Sequence, residues 1–140
     1  MELIYREMTI GDYEAAYALW MKTEGMVLSS ADSREEIEAY LVRNPDCSFI
    51  CEEEGELLGT ILGGHDGRRG FIYHVAVSAD QRGRGIGQQL VQLSLGRLRE
   101  AGIAKCHLFV LEDNEIGARF WARSGWQKRE GILLFSKDTT

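Results

Sequence analysis

The sequence predicts a mixed α/β domain in which a central, partly antiparallel sheet of about six to seven strands is flanked by about four helices. Three observations carry that expectation. Cys47, Phe49 and Cys51 alternate with Ser48, Ile50 and Glu52, and Glu54-Gly55 turns this segment back into residues 57–63, which reads as a hairpin. Residues 71–77, a helical segment of about 15 residues and residues 105–111 follow one another as strand, helix and strand, which implies a right-handed crossover and a parallel pair. Ahead of the hairpin, apolar residues recur near the helical spacing of 3.6 rather than alternating.

In chain order, residues 3–8 read as a first strand. Thr9 or Asp12 can cap a helix carrying Tyr13, Ala16, Tyr17, Leu19 and Trp20, and residues 24–32 then break the period. Ser33 with Glu36 forms a capping-box pattern that opens a second helix bearing Ile37, Tyr40 and Leu41. It ends near Asn44-Pro45, the only proline. Residues 63–70 are too rich in glycine for regular structure, and the apolar run at 71–77 behind them is the best central strand. Ile86, Leu90, Leu93 and Leu98 make one helical stripe running to Glu100, with Gly102 as its stop. After the strand at 105–111, residues 114–124 read as a helix ended by Gly125, and 126–129 with 132–136 as a closing hairpin. Repeats, low-complexity tracts and linkers are absent, so residues 1–140 are expected to form a single domain.

Composition excludes several classes. The N-terminus lacks the basic segment and apolar run of a secretory signal, and no apolar stretch approaches about 18 residues, so a soluble cytoplasmic protein without a membrane partner is expected. Cys47, Cys51 and Cys106 are an odd set with no CxxC pair, which argues against a disulfide framework or a metal site and for reduced, mostly buried thiols. A net charge of -6 speaks against a nucleic-acid-binding surface and mildly favours a cationic substrate.

The segment with chemistry is Arg82-Gly83-Arg84-Gly85-Ile86-Gly87. A strand that enters a glycine-rich turn opening a helix suits phosphate, because the first helical N–H groups have no internal partner and the helix dipole favours an anion. Glycines at 83, 85 and 87 allow close backbone approach, and Arg82 and Arg84 can neutralise a pyrophosphate. The dinucleotide pattern GxGxxG fails at Gln88, and the Gly-Lys-Ser/Thr ending of a P-loop is missing. Another phosphate-bearing ligand is required.

Taken together, Val75-Ala76-Val77, then Arg82-x-x-Gly85-x-Gly87, then Asn114 and Phe120-Trp121-x-x-x-Gly125-Trp126 resemble the GNAT superfamily of acetyl-CoA-dependent N-acetyltransferases. The likeness runs over nearly the whole chain in order. It implies direct transfer of an acetyl group from acetyl-CoA to a primary amine of a small molecule or of a peptide or protein N-terminus, within a ternary complex. It further implies that the two central strands splay, that Val75, Ala76 and Val77 border the pantetheine arm, and that an N–H at Val75 or Ala76 serves the oxyanion. The pyrophosphate would fall to Arg82 and the amides of residues 83 to 87, Gly83, Arg84, Gly85, Ile86 and Gly87. Asn114 and Phe120 would meet the pantetheine region. Dimers are common in the superfamily, which leaves a homodimer open.

The chemistry needs a neutral amine, and an unperturbed lysine with a pKa near 10.4 is neutral about once in a thousand or more molecules at pH 7. A base or a relayed water must therefore help. Many relatives place a tyrosine acid directly after the position of Phe120, but here that residue is Trp121, whose indole cannot act as an acid. Strict alternation would put Phe71, Tyr73, Val75 and Val77 on the cleft side and His74 on the other, which makes Tyr73 the catalytic candidate, as an acid or a water-orienting group, or else a plain lining residue. Trp20 and Glu24 lie where relatives recognise the acceptor, although Trp20 with Tyr17 and Tyr40 also reads as core. His65 and Asp66 could meet substrate or shape a hairpin tip; Glu112 and Asp113 could hold a cation or cap a helix. Cys106 reads as filler. The rival readings are a catalytically silent acyl-CoA-binding sensor, a transferase for longer acyl groups, and an enzyme acting on charged tRNA, the last disfavoured by charge.

Overall fold

A computed structural model describes residues 2–140 and divides them into two compact units, one ending at Phe109 and one beginning at Val110. The first unit holds the sheet. Its first strand, β1 (Ile4–Glu7), leads through a short 3-10 turn at Ile10–Asp12, where the Asp12 carboxylate accepts from the Thr9 N–H at 2.9 Å, into helix α1 (Tyr13–Lys22). Of the two residues expected as caps, Asp12 stands at the N-cap of α1 without a side-chain bond to it, and Thr9 precedes the 3-10 turn instead. Ser33 caps α2 (Arg34–Arg43) by accepting from the Glu36 N–H at 3.2 Å. The strands β2 (Phe49–Glu53) and β3 (Glu56–His65) form the expected hairpin, and consecutive positive φ angles at Glu54 (52°) and Gly55 (81°) give the tight turn that suits the twist of paired strands. Then come β4 (Gly70–Val77), α3 (Ile86–Glu100) and β5 (Cys106–His107).

The sheet order is β1-β2-β3-β4-β5, antiparallel throughout except for the parallel β4–β5 pair. On one face α1 and α2 close a core of Met8, Tyr13, Ala16, Leu19, Trp20, Ile37, Ile50, Leu62 and Ala76. On the other lies α3, whose Ile86 and Leu90 come so near β3 that a Cβ on Gly59 would meet them at 3.0 and 3.2 Å. Each fully buried aliphatic side chain of this kind contributes about 1.5–3 kcal/mol. Ser94 of α3 ties that face down by donating to the Cys47 carbonyl at 2.7 Å.

The second unit contains α4 (Glu115–Arg123), the fourth helix, where one was expected. Here the strand count departs from the sequence expectation. Five strands form among the described residues rather than six or seven, because β5 is two residues long instead of spanning 105–111 and the hairpin at 126–129 and 132–136 does not pair. Gly131 keeps a turn conformation at φ 78°, but Ile132, Leu133, Leu134 and Phe135 are exposed, and a two-stranded hairpin without a packed face is marginal by itself. The cysteines are free; Cys47 and Cys51 are buried, and burial pushes the half-buried Cys106 thiol up to about 11. Among the described residues no helix is long and apolar enough to cross a membrane.

Candidate active site

The phosphate-type turn forms where the sequence places it. A 3-10 turn at Ala79–Gln81 follows β4, and the chain then passes through Gly83 (φ 86°) and Gly85 (φ 78°), the latter being the N-cap of α3. Both conformations are left-handed, which explains glycine at these two positions. A Cβ on either would have no neighbour within 4 Å, so the space over the turn is open. Ile86 and Gly87 begin α3, where helical geometry leaves N–H groups without an i−4 partner. The two arginines differ. Arg82 is exposed, with no ion pair or side-chain hydrogen bond among the described residues. Arg84 is held by Glu53 at 3.0 and 3.2 Å and by the Gln81 side chain at 2.6 Å, so its guanidinium ties the turn to the end of β2. Each partner of that pair holds the other charged: Arg84 draws the Glu53 carboxyl below its usual range, and Glu53 raises the guanidinium.

Next to the turn, the sheet opens. The β4–β5 ladder consists of Gly70 opposite Cys106 and Phe71 opposite His107, with the Gly70 N–H donating to the Lys105 carbonyl at 2.9 Å. From Ile72 to Val77, β4 has no β5 partner along this edge. Val75, Ala76 and Val77 therefore present a strand edge, unpaired among the described residues, that ends at the turn.

A bulge alters which side chains share a face. Thr60 pairs with Ala76 and Leu62 with Tyr73, so Ile61 alone stands opposite His74 and Val75. His74 takes φ 51°, a left-handed conformation uncommon for a residue with a Cβ. The expected grouping of Tyr73 with Val75 and Val77 is corrected here, because Tyr73 joins His74 on the opposite face, while His74 does stand away from Val75 and Val77 as expected. Tyr73, His74 and Ala76 turn to the α1–α2 face, while Val77, opposite Gly59, turns toward α3 with Val75. Alternation presumes an unbroken strand, and one inserted residue inverts it.

The bulged conformation is held from several sides. The His74 Nε2 lies 2.7 Å from Oδ1 of the buried Asp32, whose other oxygen accepts from the Ser29 N–H at 2.9 Å. The Trp20 ring packs on the imidazole at a centroid distance of 4.7 Å. Its indole N–H donates to the Thr60 hydroxyl at 2.9 Å, and that hydroxyl donates to the His74 carbonyl at 2.9 Å. A carboxylate can only accept, so Nε2 carries the proton of this bond. Among the described residues the Tyr40 hydroxyl is the one buried side-chain polar atom lacking a partner, and the His74 side chain is 14% exposed.

Other sequence candidates fall out as follows. Trp20, considered for substrate contact, is 1% exposed and bonded to Thr60, so it is core and second-hand support for His74. Glu24 sits exposed just beyond α1. Tyr73 is 40% exposed, edge-on to Tyr40 and stacked with Phe71, and partial burial raises its phenol pKa, so it stays protonated at neutral pH. His65 and Asp66 serve the hairpin tip: the His65 Nδ1 accepts from the Gly67 N–H, and an Asp66 oxygen accepts from the N–H groups of Arg68 and Arg69. In the second unit, the Asn114 side-chain Oδ1 caps α4 by accepting from the Gly117 N–H at 3.0 Å, and Phe120, Trp121 and Trp126 pack edge to face.

With this geometry in place, comparison with known proteins decides the family. The model of the acetyltransferase (GNAT) family matches residues 13–126. The chain belongs to this family. An acetyltransferase of Pectobacterium atrosepticum is 38% identical over 123 residues, 88% of this chain and 86% of the relative. Among solved structures, Ard1 from Thermoplasma volcanium matches with a TM-score of 0.78 at 22% identity, over 89% of this chain and 82% of that one. The structure of AAC(6')-Iy in complex with the bisubstrate analogue CoA-S-monomethyl-acetylneamine matches with a TM-score of 0.76 at 18% identity, over 99% of each chain. GNAT membership makes this chain an acyltransferase, and these structures share its mixed α/β fold. Two features of this GNAT chain were invisible in the sequence: the Asp32–His74 contact, which joins residues 42 apart across a bulge with no local signature, and the Glu53–Arg84 pair.

Proposed function

We propose that the chain transfers an acetyl group from acetyl-CoA to a primary amine of a small molecule, or of a peptide or protein N-terminus, by direct attack in a ternary complex. The observation that carries this reading is the succession of three parts along one stretch of chain: the bulge with His74, the unpaired edge at 75–77, and the open turn at 82–87. The turn fits a pyrophosphate, since its glycines leave the approach clear and Arg82 is uncommitted. The CoA-linked analogue held by the AAC(6')-Iy neighbour supports the choice of donor. The match to the family passes from the first unit into the second, which supports treating residues 13–126 as one functional domain and keeping Asn114 and Phe120 as pantetheine contacts. The free, buried thiols of Cys47 and Cys51 suit a reducing cytoplasm.

In this mechanism His74 is the base. Its Nδ1 takes the proton from the amine as the nitrogen attacks the thioester carbonyl, the C–S bond breaks, and the CoA sulfur leaves as a thiolate. Asp32 fixes the tautomer and stabilises the imidazolium that forms, as the carboxylate of a triad does. Thiolates near the acidity of a cysteine leave readily, so the missing acid at Trp121 is tolerable. Tyr73, held protonated by partial burial, lines the entrance rather than accepting a proton.

The test is release of CoA thiol from acetyl-CoA over a panel of amines, beside calorimetric binding of acetyl-CoA alone. Amine-dependent release is expected. Tight binding with no release on any amine would replace the enzyme reading with an acyl-CoA sensor, and absence of binding would overturn the assignment of the turn.

A further inference from the structure

One face beside the unpaired strand edge is lined with rings. Tyr40 of α2 meets Tyr73 at 6.4 Å between centroids; Tyr73 stacks on Phe71 at 6.5 Å with planes 18° apart; Phe71 stacks on Phe109 at 6.2 Å with planes 14° apart. His107 flanks Phe71 at 5.8 Å. All belong to the first unit. The row lies on the α1–α2 face, because Tyr73 pairs with Leu62 of that core and Phe71 pairs with Gly64 in step with it. Its outer members stay open, Tyr73 at 40% and Phe109 at 59% exposure.

The row begins one residue from His74 and contains no Asp or Glu. Asp32, the carboxylate nearest the reacting end, is taken up by His74 and the Ser29 N–H. A site for a polyamine or an aminoglycoside would need free carboxylates to match several ammonium groups. Near-parallel, partly exposed rings instead match a flat apolar group, which gains offset-stacked and edge contacts there. An apolar wall also disfavours the charged form of an amine, which raises the neutral fraction that can attack.

We propose that the acceptor is an amine attached through a short chain to an aromatic ring, the ring stacking on Phe71, Tyr73 and Phe109 while the nitrogen meets His74. This rests on the acetyl-transfer reading above and names the acceptor class for that site. It is tested by initial rates of CoA-thiol release for 2-phenylethylamine, 2-cyclohexylethylamine and spermidine, with wild type, Phe109→Ala and Phe109→Leu, alongside acetyl-CoA calorimetry on each. The expected kcat/KM for 2-phenylethylamine exceeds that for spermidine at least about tenfold and that for the saturated ring about threefold. Phe109→Ala is expected to erase most of this preference, Phe109→Leu to restore rate without restoring the aromatic preference, and neither to change acetyl-CoA affinity. Equal rates for the three amines or a preference for spermidine would overturn the acceptor assignment, whereas no release on any amine with acetyl-CoA still bound would overturn the acetyl-transfer reading together with it. Loss of acetyl-CoA binding in the wild type would instead overturn the reading beneath it.

Discussion

Two places along the same stretch of chain hold backbone at positive φ, and they do so by opposite means. At Gly83 and Gly85 the conformation costs little, nothing packs over the residues, and the surroundings are open. At His74 a residue with a full side chain is forced to φ 51° and kept there by Asp32, Trp20 and Thr60. A backbone conformation of this kind in a non-glycine residue costs on the order of 1–3 kcal/mol and persists only when its neighbours over-determine it. The first region prepares donors for a ligand that supplies the missing partner; the second completes its own partnerships and leaves one nitrogen over. Binding and proton transfer are thus built from different material, and they should fail separately.

The sharpest way to break the comparison is at the turn. Arg82→Ala combined with Gly85→Glu removes the uncommitted cation, strains an αL position and sets a carboxylate where phosphate would sit. Acetyl-CoA binding is expected to weaken beyond about a hundredfold by calorimetry, while circular dichroism stays that of the wild type because no neighbour lies within 4 Å of the new Cβ. Unchanged affinity in a folded double variant would sink the assignment.

The second effect separates chemistry from binding. His74→Ala takes away the proposed base, and general-base contributions run to about a hundredfold or more, so kcat is expected to fall by at least that factor. Acetyl-CoA affinity should stay within about twofold of wild type. If the variant loses affinity and keeps its kcat, His74 is scaffolding.

This contrast also explains what could be read before any coordinates. The turn was legible because glycine, arginine and a following amphipathic stripe are local signals, and α1, α2, α3 and α4 were legible from caps and spacing such as Ser33 with Glu36. The bulge was not. It exists only in the pairing of β3 with β4, where Ile61 faces two residues, and no letter in Tyr73-His74-Val75 announces it. Asp32 lay in a segment recognisable only as irregular, and its role depends on a partner 42 residues away. Trp20 erred in the other direction: its spacing fitted core and acceptor site alike, and burial decided for core. The shortfall at β5 has the same origin, since residues 108–111 have strand-like composition but do not pair with β4, and pairing is not written in the local sequence.

A smaller effect concerns how the bulge is held. Thr60→Val keeps shape but removes both the acceptor of the Trp20 indole and the donor to the His74 carbonyl. Leaving a buried N–H without a partner costs about 1–3 kcal/mol, so the midpoint of urea unfolding should fall accordingly. Because the strained turn loses one restraint, kcat should decline several-fold with little change in acetyl-CoA affinity. A loss of stability with kcat intact would show that Asp32 and Trp20 suffice to fix the imidazole.

The smallest expected effect tests whether the two arginines of the turn are equivalent. Arg84 spends its guanidinium on Glu53 and Gln81, and an exposed pair of this kind is screened by solvent, so Arg84→Ala should weaken acetyl-CoA binding only about twofold. Glu53→Gln should act in the opposite direction, freeing the guanidinium for phosphate and removing a negative charge, with affinity rising about twofold at low salt and the gain fading as salt is raised. Opposite signs would establish that Glu53 draws Arg84 away from the ligand. Losses of similar size in both variants would mean that the pair serves to anchor the turn to β2, and that the phosphate relies on Arg82 and the backbone alone.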